Sequence, residues 1–142
     1  MDKMKTLPFE WDLGQEEVAL RVSSYANNGS LYIGLYNKTE EGFEPFGDLT
    51  VNLPSSDFYG RTNGAFIDHN FRKENLNFIE KNQLGTLLPI VGVSGFCKFA
   101  RVAFDLERLK EFDREGVEQY LRQGPIRMEG TKKLKKREQI ER

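Results

Sequence analysis

Two stretches of strict two-residue alternation flank Asn27-Asn28-Gly29 and constrain this chain more than any other feature. Val18, Leu20 and Val22 alternate with Ala19, Arg21 and Ser23, and Leu31, Ile33 and Leu35 alternate with Tyr32, Gly34 and Tyr36. Side chains along a strand leave on opposite faces, so a period of two marks a strand with one buried face. Asn and Gly accept the positive φ of tight turns. Val18 to Tyr36 is therefore expected to form a β-hairpin.

The pattern continues on both sides. A second turn at Glu40-Glu41-Gly42 leads into Phe43 to Leu53, where Leu49, Val51 and Leu53 point one way, giving a three-stranded antiparallel meander. An earlier strand is expected near Thr6 to Leu13. Pro54 to Gly64, rich in Ser, Gly and Asn, reads as a long connection before a short strand at Ala65 to Asp68. Asn75 is a suitable N-cap for a helix over Leu76 to Leu84 that Gly85 would close. Leu87 to Val93 and Lys98 to Phe104 flank Ser94-Gly95 as a second hairpin. Asp105 caps a helix carrying Leu106, Leu109 and Phe112; Asp113-Arg114-Glu115-Gly116 interrupts it, and Val117, Tyr120 and Leu121 add a further turn or two. The expected class is α+β: a curved antiparallel β-sheet, meander plus later hairpin, with two or three short helices packed on it.

At 142 residues the chain can bury one core and not two. Its mean hydropathy is low, at -0.60, so large side chains must carry that core, and 11 Phe and 5 Tyr supply them. No apolar run is long enough to span a bilayer, and Met1-Asp2-Lys3-Met4-Lys5 has no apolar leader, so neither membrane spanning nor secretion is expected. A single cysteine, Cys97, makes the reducing cytosol the expected compartment. Charge is uneven. Residues 127–142 hold seven Lys or Arg against three Glu, a net +4, which leaves about -5 on residues 1–126 from the overall -1. The apolar residues after Gly124-Pro125 are too scattered to repay the entropy of ordering. The organisation expected is one domain over 1–126 and a basic, mobile tail over 127–142.

Four short motifs follow one another between about Leu20 and Leu121: Thr50-Val51-Asn52-Leu53, Ile67-Asp68-x-Asn70, Ser94-Gly95-Phe96-Cys97 and Phe104-Asp105-Leu106-x-x-Leu109. In their order the chain resembles a family of small proteins carried on conjugative and other mobile elements of gut and Gram-positive bacteria, known only as a domain of unknown function. The resemblance implies no established activity. It implies cargo of a mobile element, such as a helper or a modulator of host machinery.

Candidate chemistry is sparse. Cys97 and His69 are the only thiol and imidazole, neither lies in a local catalytic signature, and a Cys packed as a small apolar residue is the commoner outcome. Asp68, His69 and Asn70 form the most polar triplet, but strand alternation separates His69 from the other two. Asp68 and Asn70, with Asn52, are read as a structural polar cluster that fixes loops at strand ends. One His and one Cys leave no transition-metal set, and no Asp-x-Asp-x-Asp-Gly run suggests calcium. The glycine-containing loops match neither nucleotide fingerprint, and no Gly-x-Ser-x-Gly elbow occurs. Neither enzyme activity nor a cofactor is expected. The expected role is docking to another protein through Tyr32, Tyr36 and Phe43, since aromatic residues anchor interfaces. The alternative is nucleic-acid binding, in which Lys132, Lys133, Lys135, Lys136 and Arg137 neutralise phosphates and Tyr32 and Tyr36 stack on bases. The acidic body opposes it. Nothing in the sequence specifies an oligomeric state.

Overall fold

The hairpin at the centre of the sequence pattern is the centre of the structure. In the computed structural model, which describes residues 5–26, 29–53, 61–68 and 74–129, strands β2 (Gly14–Ser24) and β3 (Leu31–Thr39) pair antiparallel from Val18↔Asn37 to Ser24↔Leu31. Val18, Leu20, Val22, Leu31, Ile33 and Leu35 are all buried in one core. Strand β1 (Leu7–Trp11) adds on the β2 side and β4 (Gly42–Asp48) on the β3 side. Phe9 of β1 is fully buried and packs on Phe46 and Phe78.

The α+β class holds, but the strands divide into two four-stranded antiparallel sheets, β1-β2-β3-β4 and β5-β6-β8-β7. The second contains β5 (Thr50–Val51), β6 (Gly64–Ile67), β7 (Gly85–Ser94) and β8 (Cys97–Phe104). Phe43 to Leu53 is thus not the single strand expected. The chain crosses between sheets at Leu49, which donates its N–H to Ile33 and accepts one from Asp68. Thr50 reinforces the crossing, its Oγ1 accepting from the Ile33 N–H at 3.2 Å. The physical reason lies in the side chains: Leu49 fills the main core, whereas Leu53 joins Phe66 and Phe99 in a smaller cluster on the other face of the second sheet.

Helix α1 (Glu74–Lys81) begins before the expected start. Asn75 is not its cap. It sits inside the first turn, buried, and its Nδ2 donates to the carbonyls of Asp48 and Asp68 at 3.3 and 2.6 Å. Gly85 does not close α1 either; Gln83 takes the positive φ of 56° instead. Gly85 opens β7, where an added Cβ would lie 2.6 Å from the Ala103 carbonyl oxygen.

Helix α2 (Leu106–Arg122) starts as expected, with Asp105 accepting from the N–H groups of Glu107 and Arg108. It kinks at Asp113, whose φ and ψ are -150° and 74°. The kink has a purpose visible in the sheet. β1 pairs with β2 only as far as Val18, and Asp113 Oδ2 accepts the Val22 N–H at 2.8 Å, capping the edge that β1 leaves uncovered. Leu106, Leu109, Phe112, Val117 and Tyr120 complete the main core from this side.

Candidate docking surface

The second sheet is longer than the core it covers. Along β8, Val102 and Phe104 face the main core while Cys97 and Phe99 face the smaller cluster. Residues directly opposite in an antiparallel pair share a face. Leu87 lies opposite Val102, Val91 opposite Ala100 and Val93 opposite Lys98, so all three occupy the core-side face, but the core ends near Val102. They are 50%, 59% and 59% exposed, and Phe96 at the hairpin tip is fully exposed.

Local sequence builds this overhang. Gly95, with φ 63°, supplies the first central position of a two-residue turn between Ser94 and Cys97. The register shifts between Leu88 and Val91, with Pro89 and Ile90 in the bulge, and Val91 then returns to the face of Leu87. Ile90 packs against the smaller cluster. Gly92 is required beside it, since a Cβ there would come within 2.5 Å of Leu53 Cδ1. No residue of β7 carries a charge.

Two cavities border the first residues of β7. One, of about 380 Å³, lies against α1 and is lined by Leu76, Asn77, Ile79, Glu80, Gly85, Leu87 and Val102. The other, of about 450 Å³, lies toward the start of α2, where Thr86, Asp105, Leu106, Glu107, Leu121, Ile126 and Met128 contribute.

A buried polar cluster holds the end of the described chain on this sheet. Arg101 grips the Glu129 carboxylate with Nε and Nη2 at 2.8 and 2.7 Å, and the two side chains are only 5% and 10% exposed. Asn63 accepts from the Glu129 N–H and donates to its carbonyl, and the Arg127 N–H donates to Arg61. Arg127 and Glu129 are thus bonded to Arg61, Asn63 and Arg101 of the body. Burial alone would raise the Glu129 carboxyl, but hydrogen bonds from Arg101 and Thr62 and the charges of Arg101 and Arg127 outweigh it and hold the group below its ordinary value. Tyr120, whose hydroxyl donates to the Thr62 carbonyl at 2.7 Å, is pushed up by burial. Arg61 lies over its ring at 4.2 Å.

The residues singled out from sequence fall elsewhere. Register places Tyr32, Tyr36 and Phe43 on a common face of the first sheet, away from the core, each partly buried. Tyr32 donates to Asp48 at 2.7 Å and packs edge-on against Tyr25, and burial with that hydrogen bond pushes its phenol up. Asp68 works through its backbone, donating to Leu49 and accepting from Asn75. Asn52 lines a cavity of about 20 Å³ beside Thr62 and Arg101, room for one water. Cys97 packs against Leu53, Phe66 and Phe99. His69, Asn70 and the basic residues Lys132, Lys133, Lys135, Lys136 and Arg137 lie outside the described residues. Sequence reasoning missed Leu87, Val91, Val93 and Phe96 as a surface. The available signal was the uncharged run around a hairpin that also places Phe at its turn.

Among the described residues no three of His, Cys, Asp or Glu group to hold a metal ion, and no helix is long and apolar enough to cross a membrane. Residues 19–124 match the family model described as Domain of unknown function (DUF4313). No curated protein and no solved structure matches the chain.

Proposed function

The chain belongs to the DUF4313 family, whose description names no activity, and from that premise we propose that it is a non-enzymatic interaction domain that docks a segment of another protein on the β7–β8 overhang. The observation that carries this is the exposure of Leu87, Val91 and Val93 on a sheet face that continues the core, with Phe96 exposed at the hairpin tip. Large apolar side chains exposed together on one hairpin mark an interaction site, and the one charge paired across from them is Lys98, opposite Val93. Tyr32, Tyr36 and Phe43 present less surface and take a secondary part. The setting is the one the resemblance implies, an accessory protein of a mobile element, and the compartment is the reducing cytosol that a lone cysteine suits.

The test is affinity capture from host lysate with the full chain and with a Val91→Thr, Val93→Thr, Phe96→Ser variant, each with and without nuclease. A protein retained by the parent after nuclease and lost by the variant supports docking. Identical capture by both would overturn it. Nucleic acid recovered equally by both in place of a protein would point to the basic tail instead.

A further inference from the structure

Resting on that docking reading, we infer that the segment received is a basic amphipathic stretch of the partner protein, with apolar side chains against Leu87 and cations over Glu80 and Glu107. Both cavities include Gly85 in their lining, one on the Leu87–Val102 face and the other reaching the Thr86–Ala103 face, and β7 is an edge strand, so a segment laid across that edge is placed to reach both. Their floors are apolar. Their charged lining consists of Glu80 in one and Asp105, Glu107 and Glu129 in the other, without a single Lys or Arg.

Two of these carboxylates are already engaged: Asp105 caps α2, and Glu129 is held by Arg101. Glu80 and Glu107 remain. Glu107 is 82% exposed and reaches Lys110 at 3.4 Å along one helix, a weak and easily exchanged surface pairing. No described cation pairs with Glu80. An incoming Lys or Arg beside a half-covered apolar floor gains more than the same charge in open water, because the local dielectric is lower. The same charges select against other occupants. A nucleic acid would bring phosphates against carboxylates.

The experiment uses the full chain and a fluorescein-labelled peptide of leucine and lysine at amphipathic helical spacing, with a control peptide in which glutamate replaces every lysine. Anisotropy titrations are run at low and high salt. The expected result is saturable binding of the lysine peptide, weakened about tenfold at high salt and lost in a Glu80→Lys, Glu107→Lys variant, with no binding of the glutamate peptide. Equal binding of both peptides, parental affinity in the charge-reversed variant, or no binding at all would overturn the inference. Comparison with the capture experiment separates the two levels of the proposal. If hairpin-dependent protein capture persists while the peptide results fail, the basic segment is wrong and docking stands; if both fail, the surface has no docking role.

Discussion

The carboxylate of Glu129 and the guanidinium of Arg101 are each nearly out of water, so removing one strands the other. Glu129→Ala is expected to destabilise the fold by about 3–5 kcal/mol, measured by urea denaturation, because an unpaired buried charge remains. The pair also sets an acid dependence. The folded-state value of Glu129 lies below the ordinary 4.5, so its contribution is complete above that ordinary value and is lost as pH falls through the depressed one. Glu129→Gln should flatten the acid limb of the stability profile; an unaltered limb would remove the pair from the account. Asp113 makes a parallel case. It satisfies the Val22 N–H and the Gly116 N–H together, and Asp113→Ala should cost about 1–3 kcal/mol through the buried donor left unmade. The break at Asp113 is legible in Asp113-Arg114-Glu115-Gly116. Its partner is not, because Val22 lies 91 positions away.

At the scale of elements, the local signals that succeed are those satisfied within a few residues. Asp105 serves the N–H groups two and three positions on, so its sequence context suffices; Asp105→Ala should cost about 1 kcal/mol and fray the start of α2. Asn75 has the same residue type beside a helix and does something else. Its amide is taken by Asp48 and Asp68, carbonyls at the ends of two strands in different sheets, and that demand outranks a cap. Gly85 fails as a helix terminator for a similar reason. Its lack of a side chain answers the Ala103 carbonyl across the ladder, and Gly85→Ala should cost about 1–3 kcal/mol by forcing β7 away from β8. A smaller loss in thermal denaturation, within experimental error, would show that the edge strand yields freely.

For the whole molecule, the exposed apolar overhang and the acidic rim beside it make a prediction independent of any partner. Val91→Thr with Val93→Thr should leave stability within about 0.5 kcal/mol, since neither side chain belongs to the core, while raising solubility at high concentration in light-scattering measurements. Cys97, packed with Leu53, Phe66 and Phe99, should label slowly with a thiol reagent near neutral pH, and rapid labelling would reopen a catalytic reading. By itself the sequence determined the central hairpin, the second hairpin to within one residue of its turn at Gly95-Phe96, the start and break of α2 and the α+β class, because periodicity, turn chemistry and capping act over a few residues. Only the tertiary structure decided that the strands split into two sheets at Leu49, that Asn75, Asp113 and Arg101 serve distant partners, and that Leu87, Val91 and Val93 lie beyond the core on a face otherwise buried. An alternating strand reads the same whether its apolar face is covered or bare, and coverage depends on where other elements end.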